Sequence, residues 1–248
     1  MTRLYTFNIS HFSEKARWAL DYESVPYTER VLLPGPHQLV TRRIARRSHV
    51  PVLEHDGTYV QGSGAIVDYI ADRLGRTRLT PPDPAGRAKA LELEGRLDRV
   101  FGRGVQQIVY SELLKDRRTV TRLWSLGGPF WSRGFYVAAF PAVAAAVKRL
   151  YKTADAEGVA EARRRFVAMF DELDDLLARQ PYLGGSAPDR TDVTVAALLA
   201  PLCGPPEHRI EWPALPPPLE DFASRLRGRP TWNHVLRMYR EHRSQDGP

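Results

Sequence analysis

Three serines stand where a hydroxyl can act on an anion. Ser10 and Ser13 fall at the opening of one helical stretch and Ser63 at the opening of another. The free N–H groups and positive dipole end of a helix start hold an anion such as a carboxylate, and a hydroxyl at that place either caps the helix or serves the bound group. Other chemistries are bounded by what the sequence lacks. The single cysteine, Cys203, excludes an internal disulfide and any CxxC redox pair, and no group of Cys, His and carboxylate residues has metal-ligand spacing. Cys203 ends an apolar helical stretch and reads as a small core residue. No metal is expected.

The elements that must position these serines alternate between strand and helix over the first 75 residues. Leu4-Tyr5-Thr6-Phe7 reads as a strand ending at the turn-prone Asn8. A helix runs from Ser13 to Tyr22, with Ala16, Ala19 and Leu20 at helical spacing. Pro26 to Leu32 alternates as a second strand, and the basic Thr41 to Arg47 as a short irregular helix. Residues 51–54 and 58–60 form a hairpin about Asp56-Gly57. Ser63 to Leu74 is a helix with Ser63 as cap and Gly75 as stop. A βαβ unit followed by a hairpin and a helix predicts a four-stranded mixed sheet, the thioredoxin-like α/β plan. Arg76 to Pro84, with Pro81-Pro82-Asp83-Pro84, reads as a linker.

Beyond Ala85 helical periodicity dominates, with helices expected near 85–114, 135–152, 156–179, 190–202, 218–227 and 231–242. The expected division is residues 1–75, a linker at 76–84, and an all-α helical bundle at 85–248. Asp189 to Leu202 is apolar nearly all round, the mark of a central buried helix, and Asp189 with Asp192 matches a capping box.

A formal net charge of +7 and a pI near 9.7 raise the question of nucleic acid. The excess is mostly arginine, spread along the chain with no recognition motif, so no nucleic-acid partner is expected. The longest apolar run, Val137 to Val147, falls short of the ~20 residues that span a bilayer, and the N-terminus lacks a secretory signal. A cytoplasmic protein without a membrane partner is the expectation.

Three motifs in order resemble those of the glutathione S-transferase superfamily. Ser10-His11-Phe12-Ser13-Glu14-Lys15-Ala16-Arg17-Trp18-Ala19-Leu20 is similar to the family's entry into its first helix. Val50-Pro51-Val52-Leu53 with Gly62-Ser63-Gly64-Ala65-Ile66 is similar to its V-P-x-L and E/Q-S-x-A-I. Tyr182-Leu183-Gly184-Gly185 leading to Asp189-Arg190-Thr191-Asp192 resembles its buried-helix capping box. Together they extend over the whole chain.

The resemblance implies a transferase that uses glutathione as co-substrate, with a role in detoxification. A cis Val50–Pro51 peptide would turn the backbone of Val50 toward the cysteinyl unit, and Ser63 would hold the γ-glutamyl carboxylate. Ser10 takes the place of the family's catalytic serine or cysteine, with Ser13 one turn on; Thr6 falls where other classes carry tyrosine. A free thiol of pKa about 8.5 is only about 3% thiolate at pH 7, so a hydroxyl donating to sulfur does the activating. Without cysteine at 10 or 13, exchange through a protein thiolate is not implied. His49, with Arg46 and Arg47 as neighbouring candidates, falls where a cation meets the glycine carboxylate. Gly62 departs from the family's Glu or Gln and loses a contact to the glutamyl amine, unless Gln61 or the partner subunit's Asp98 supplies it.

A small-molecule electrophile would lie over Ser10, near His11, Phe12, Tyr110, Trp124, Phe130 and Trp131. A homodimer is implied, with Ile66, Ile70 and the helix opening at Ala85 pairing across a twofold axis. The alternatives are a non-catalytic ligand-binding protein of the same fold, an isomerase or dehalogenase, and an enzyme using another low-molecular-weight thiol.

Overall fold

The computed structural model describes residues 1–243; of the expected helical part, 244–248 lie outside the described residues. The strand signals form β1 (Thr2–Thr6), β2 (Thr28–Val31), β3 (Val52–His55) and β4 (Thr58–Gln61), in the sheet order β2-β1-β3-β4. β1 runs parallel to β2 and antiparallel to β3, and β3 antiparallel to β4. The hairpin turn puts Asp56 at φ 47° and Gly57 at φ 80°, the backbone that Asp-Gly accepts with least strain. Helices α1 (His11–Tyr22), α2 (Gln38–Ile44) and α3 (Ser63–Leu74) complete this thioredoxin-like part, and Gly75 ends α3 in the left-handed conformation.

The remainder is helical: α4 (Pro84–Leu97), α5 (Arg103–Leu113), α6 (Arg117–Trp124), α7 (Ser132–Tyr151), α8 (Ala156–Leu177), α9 (Arg190–Cys203), α10 (Pro217–Ser224) and α11 (Pro230–His242). The helix expected over 85–114 is interrupted by a π-helical turn at Asp98–Gly102. There the ring of Phe12 lies so close that a Cβ on Gly102 would sit 2.4 Å from Cζ. α6 has no counterpart among the expected helices: Val120, Leu123 and Trp124 do recur at helical spacing, but over only about two turns; Asp116 caps it through the Thr119 N–H at 3.1 Å.

α9 lies at the centre, packed against α1, α4 and α11, with every residue from Arg190 to Leu202 buried. Its capping box is present: Asp189 accepts from Thr191 N–H at 2.7 Å, and Asp192 accepts from Asp189 N–H at 3.0 Å. One apolar cluster joins Leu4, Trp18 and Ile66 to Phe101, Leu198 and Trp232. Ile66 and Ile70 are buried in this chain's own core, so they do not offer the twofold-pairing face expected of them. A second cluster holds Leu33, Leu114, Val120, Trp124 and Tyr136. Among buried charges, Lys15 of α1 meets Glu94 of α4 at 2.7 Å, and Arg190 of α9 meets both Glu94 and Asp68 of α3 at 2.6 Å.

Burial also sets a pH dependence. Desolvation raises the Glu14 carboxyl, but Arg243 and Arg17 outweigh it and bring it from 4.5 to about 2. The unfolded chain therefore takes up a proton first, and stability present above about pH 4.5 is lost as pH falls toward 2. Desolvation lowers His11 from 6.5 to about 4, which likewise removes stability on acidification, whereas desolvation raises Asp189 from 3.8 to about 6 and acts in the opposite sense. The last two largely offset each other between about pH 4 and 6, leaving Glu14 to dominate below. Urea unfolding should show a loss of about 2 kcal/mol from pH 5 to pH 2.5 through this group. Glu14→Gln should be less stable than wild type at pH 7 and flatter against pH over that interval; equal slopes for the two proteins would refute the assignment.

Candidate functional site

Sheet register brings the distant serines to one end of the sheet. Tyr5 pairs with Val52 and Val52 with Gln61, so the exit of β1 toward Ser10, the entry of β3 at Val50–Pro51 and the exit of β4 at Gly62–Ser63 are neighbours. The Val50–Pro51 peptide is cis. Among the described residues, neither the N–H nor the C=O of Val50 is bonded within the chain, while the Pro51 carbonyl accepts from Gly62 N–H at 3.0 Å.

Ser10 is the N-cap of α1, with φ −84° and ψ 114°. Its Oγ accepts from the Ser13 N–H at 3.2 Å, which leaves the hydroxyl proton available to donate. Ser13 is fully buried, and its Oγ accepts from the Phe7 N–H at 3.4 Å. Thr6 is also buried and donates to Glu29 at 2.5 Å, while Tyr5 donates to Glu54 at 2.8 Å. Of these hydroxyl groups, Ser10 alone is half-buried at the first turn of a helix.

α3 differs from the expected cap in one respect. Gly62 is the N-cap, at φ 102°, and Ser63 is the first helical residue, with no side-chain cap bond. Backbone with this φ favours glycine, which accounts physically for the residue found there. The first intrahelical bond is Ile66 N–H to Gly62 O at 3.0 Å, so the N–H groups of Ser63, Gly64 and Ala65 lack an acceptor among the described residues. Gln61 is occupied elsewhere. Its amide donates to Arg47 O at 2.6 Å and His49 O at 2.8 Å and accepts from Arg47 N–H at 3.2 Å. Asp98 is held by Lys15 at 2.9 Å.

His49, Arg46 and Arg47 are exposed at the rim. Partial burial, then Arg47 and His37, hold the His49 imidazole below its ordinary pKa, so at neutral pH the positive charge of this loop is carried by the arginines. His37 has no counterpart in the sequence reading. Its Nδ1 accepts from Gly35 N–H at 3.0 Å, which leaves Nε2–H to donate to Ser48 O at 2.6 Å, and its ring meets Phe7 edge-on at 4.8 Å. His37 and Gln61 thus fasten the 47–49 loop from two sides, and only the fold reveals it, since neither is near that loop in sequence.

The expected aromatic lining separates. His11 is buried and bonded to Gly102 O at 2.9 Å, and Trp124 is buried with its indole N–H 3.2 Å from the Tyr110 hydroxyl. Phe130 is 98% exposed and Trp131 46%, so neither lines an interior pocket. An open cleft of about 290 Å³ instead lies between Asn8 of the β1–α1 turn, Arg122, Leu126 and Gly127 around the end of α6, and Arg209 with Glu211 after α9. Asn8 ties the turn to this segment by donating to Leu126 O at 3.1 Å. Arg209 is paired with Glu29 at 2.6 Å.

A thioredoxin-like sheet followed by a helical bundle built on a buried, box-capped helix defines the fold class. Residues 4–78 match the N-terminal domain of glutathione S-transferases, and residues 156–225 match their C-terminal domain. The chain belongs to the glutathione S-transferase superfamily. A glutathione S-transferase of Pseudomonas putida (strain F1) is 30% identical over 93 residues, a match spanning 38% of this chain and 42% of that protein. Among solved structures, the β-etherase LigF from Sphingobium sp. strain SYK-6 superposes with a TM-score of 0.64 at 20% identity, covering 95% of this chain and 98% of its own. A theta class glutathione S-transferase from Xanthomonas axonopodis pv. citri with glutathione bound gives 0.56 at 21% identity, covering 95% and 96%. At such identities the likeness shows the fold.

Proposed function

We propose that this protein binds glutathione at the end of the sheet where β1, β3 and β4 meet α1 and α3, and joins its sulfur to an apolar electrophile as a thioether. The observation that carries the reading is Ser10. It caps α1 by accepting, keeps its own proton free, and lies at the end of the sheet where the backbone of Val50 and the first N–H groups of α3 have no partner among the described residues. In this reading residues 1–75 hold the thiol peptide and 85–248 supply the electrophile side. Val50 pairs with the cysteinyl backbone, the N-terminus of α3 with Ser63 takes the γ-glutamyl carboxylate, and Arg46 or Arg47 rather than His49 meets the glycine carboxylate. Ser13 positions the turn from its buried place. The reaction needs no covalent enzyme intermediate and no metal: the thiolate attacks carbon and the electrophile's leaving group departs, or the thiol adds across an activated double bond.

Two measurements test it together. Glutathione at a hundred times its dissociation constant should add about 2.7 kcal/mol of stability, seen as a raised Tm, and an aryl halide should turn over with glutathione. Binding without turnover of any of several electrophiles would favour a ligand-binding protein; a raised Tm with another low-molecular-weight thiol but not with glutathione would replace the co-substrate. Family membership also supports a cytoplasmic homodimer, with Tyr59 on β4 and Leu91 on α4 exposed for such a contact. Sedimentation as a concentration-independent 28 kDa monomer would reject the dimer.

Gly62 supplies a further prediction. No atom lies within 4 Å of a Cβ built there, so a side chain has room but the positive φ strains it. Gly62→Gln should lose about 1–3 kcal/mol of stability while tightening glutathione binding through a contact to the glutamyl amine. Unchanged or weaker binding, measured calorimetrically, would mean that this amine does not lie beside residue 62.

A further inference from the structure

Basic residues are spread along the chain, but their excess over acidic ones falls in one segment. Residues 117–152 contain seven basic side chains, Arg117, Arg118 and Arg122 on α6 and Arg133, Lys148, Arg149 and Lys152 on or just after α7, and no acidic residue. The remaining chain carries 29 basic and 29 acidic residues, so the whole formal net charge of +7 arises here. All seven are exposed, and none forms an ion pair among the described residues.

The same segment exposes an apolar helix face. At 100° per residue Gly134, Ala138, Pro141 and Ala145 follow one line along the outside of α7, with Phe135 and Val137 exposed beside it. Phe130 and Trp131 project just before the helix, 98% and 46% exposed. Charge frames this strip. Lys148, Arg149 and Lys152 continue the line at the C-terminal end and Arg133 stands near the other end. Arg117 lies at mid-helix, where its guanidinium bonds to the Val137 carbonyl that Pro141, lacking an N–H, leaves without a helical donor.

We propose that α6 and the outer face of α7 form a docking surface for an anionic lipid bilayer. Protruding aromatic side chains, an uncharged strip and cations at its ends match the layering of a bilayer surface, where phenyl and indole rings lie at headgroup depth and Lys and Arg reach the lipid phosphates. The other occupants fit less well. A second copy meeting this face about a twofold axis would set positive charge against positive charge. A nucleic acid would lay phosphates along alanine and proline. A peptide needs a groove to enclose its anchors, and here Phe130 stands almost wholly in solvent. No helix among the described residues is long and apolar enough to cross a membrane, and adsorption to its surface requires none.

Co-sedimentation of the full chain with phosphatidylcholine vesicles, with and without about one-third phosphatidylglycerol, tests the proposal at low and high salt. Wild type should pellet with the anionic vesicles at low salt, be released by high salt, and ignore the neutral ones. Each basic residue removed should weaken binding on the order of fivefold, so Arg133→Gln/Lys148→Gln/Arg149→Gln should weaken it roughly a hundredfold. Phe130→Ser/Trp131→Ser should weaken binding and abolish a blue shift of tryptophan emission on vesicle addition. Unchanged thermal unfolding checks that these exposed substitutions leave the fold intact. Failure to pellet with anionic vesicles at low salt, or pelleting untouched by both variants, would overturn the proposal. Self-association or retention on DNA abolished by the same substitutions, without vesicle binding, would do so in favour of those partners.

Discussion

Ser10→Ala is expected to lower turnover with glutathione at neutral pH roughly ten- to a hundredfold while changing the affinity for glutathione little. Loss of a hydrogen bond to a charged group costs about 1.5–3 kcal/mol, equivalent to one to two units in the pKa of the bound thiol. The rate should recover at high pH, where thiolate forms unaided. Val50 and the N-terminus of α3, which would hold the rest of the peptide, are untouched. The hydroxyl also caps α1, so the alanine variant loses about 1 kcal/mol of stability for a reason unrelated to sulfur. Ser10→Gly separates the two effects, since glycine at an N-cap costs only a few tenths of a kcal/mol. Both variants should raise the pKa of the bound thiol, read from the ultraviolet absorbance of thiolate, by the same amount. If neither moves that titration, hydroxyl activation is wrong; if only Ser13→Ala moves it, the activating group lies one turn along the helix.

Asp192→Ala should produce the largest loss of stability. Asp192 is fully buried and accepts from the N–H groups of Leu183 at 2.7 Å and of Gly184 and Asp189 at 3.0 Å, with His234 Nε2 at 2.8 Å. Alanine leaves these groups buried without acceptors, at about 1–3 kcal/mol each, so a loss of about 4 kcal/mol or more is expected against the 5–15 kcal/mol typical of a folded domain. Asp192→Asn preserves shape but turns a donor toward donors, and should fall between alanine and wild type. Equilibrium urea unfolding measures both. A loss below about 1 kcal/mol for alanine would show that water or a backbone shift replaces the carboxylate.

The features legible in the sequence are those whose physics is local. The Asp189–Asp192 box, the Asp-Gly turn and the Gly75 stop each depend on residues within about four positions of one another, and each is formed as read. The buried character of α9 follows from its composition alone. α6 carries Val120, Leu123 and Trp124 at helical spacing, but so short a helix is held by their packing with Tyr136 of α7, a contact that its own eight residues do not reveal. The cap of α3 was displaced by one residue because the backbone of Gly62 follows from β4 ending against Pro51, not from helix propensity.

By itself the sequence determined the order of elements, the thioredoxin-like plan, the identity of the central helix and the serines that open α1 and α3, because periodicity, caps and turns act over a few residues. Tertiary structure decided the rest. The register of β1, β3 and β4 brought Ser10, Val50 and Ser63 to one end of the sheet, and burial left Ser10 as the half-exposed hydroxyl while enclosing Ser13. His37 and Gln61 became clamps on a loop remote in sequence, Ile66 turned inward to the chain's own core, and Phe130 turned to solvent. Each of these depends on which face of an element its neighbours cover, and that is set by contacts between residues tens of positions apart.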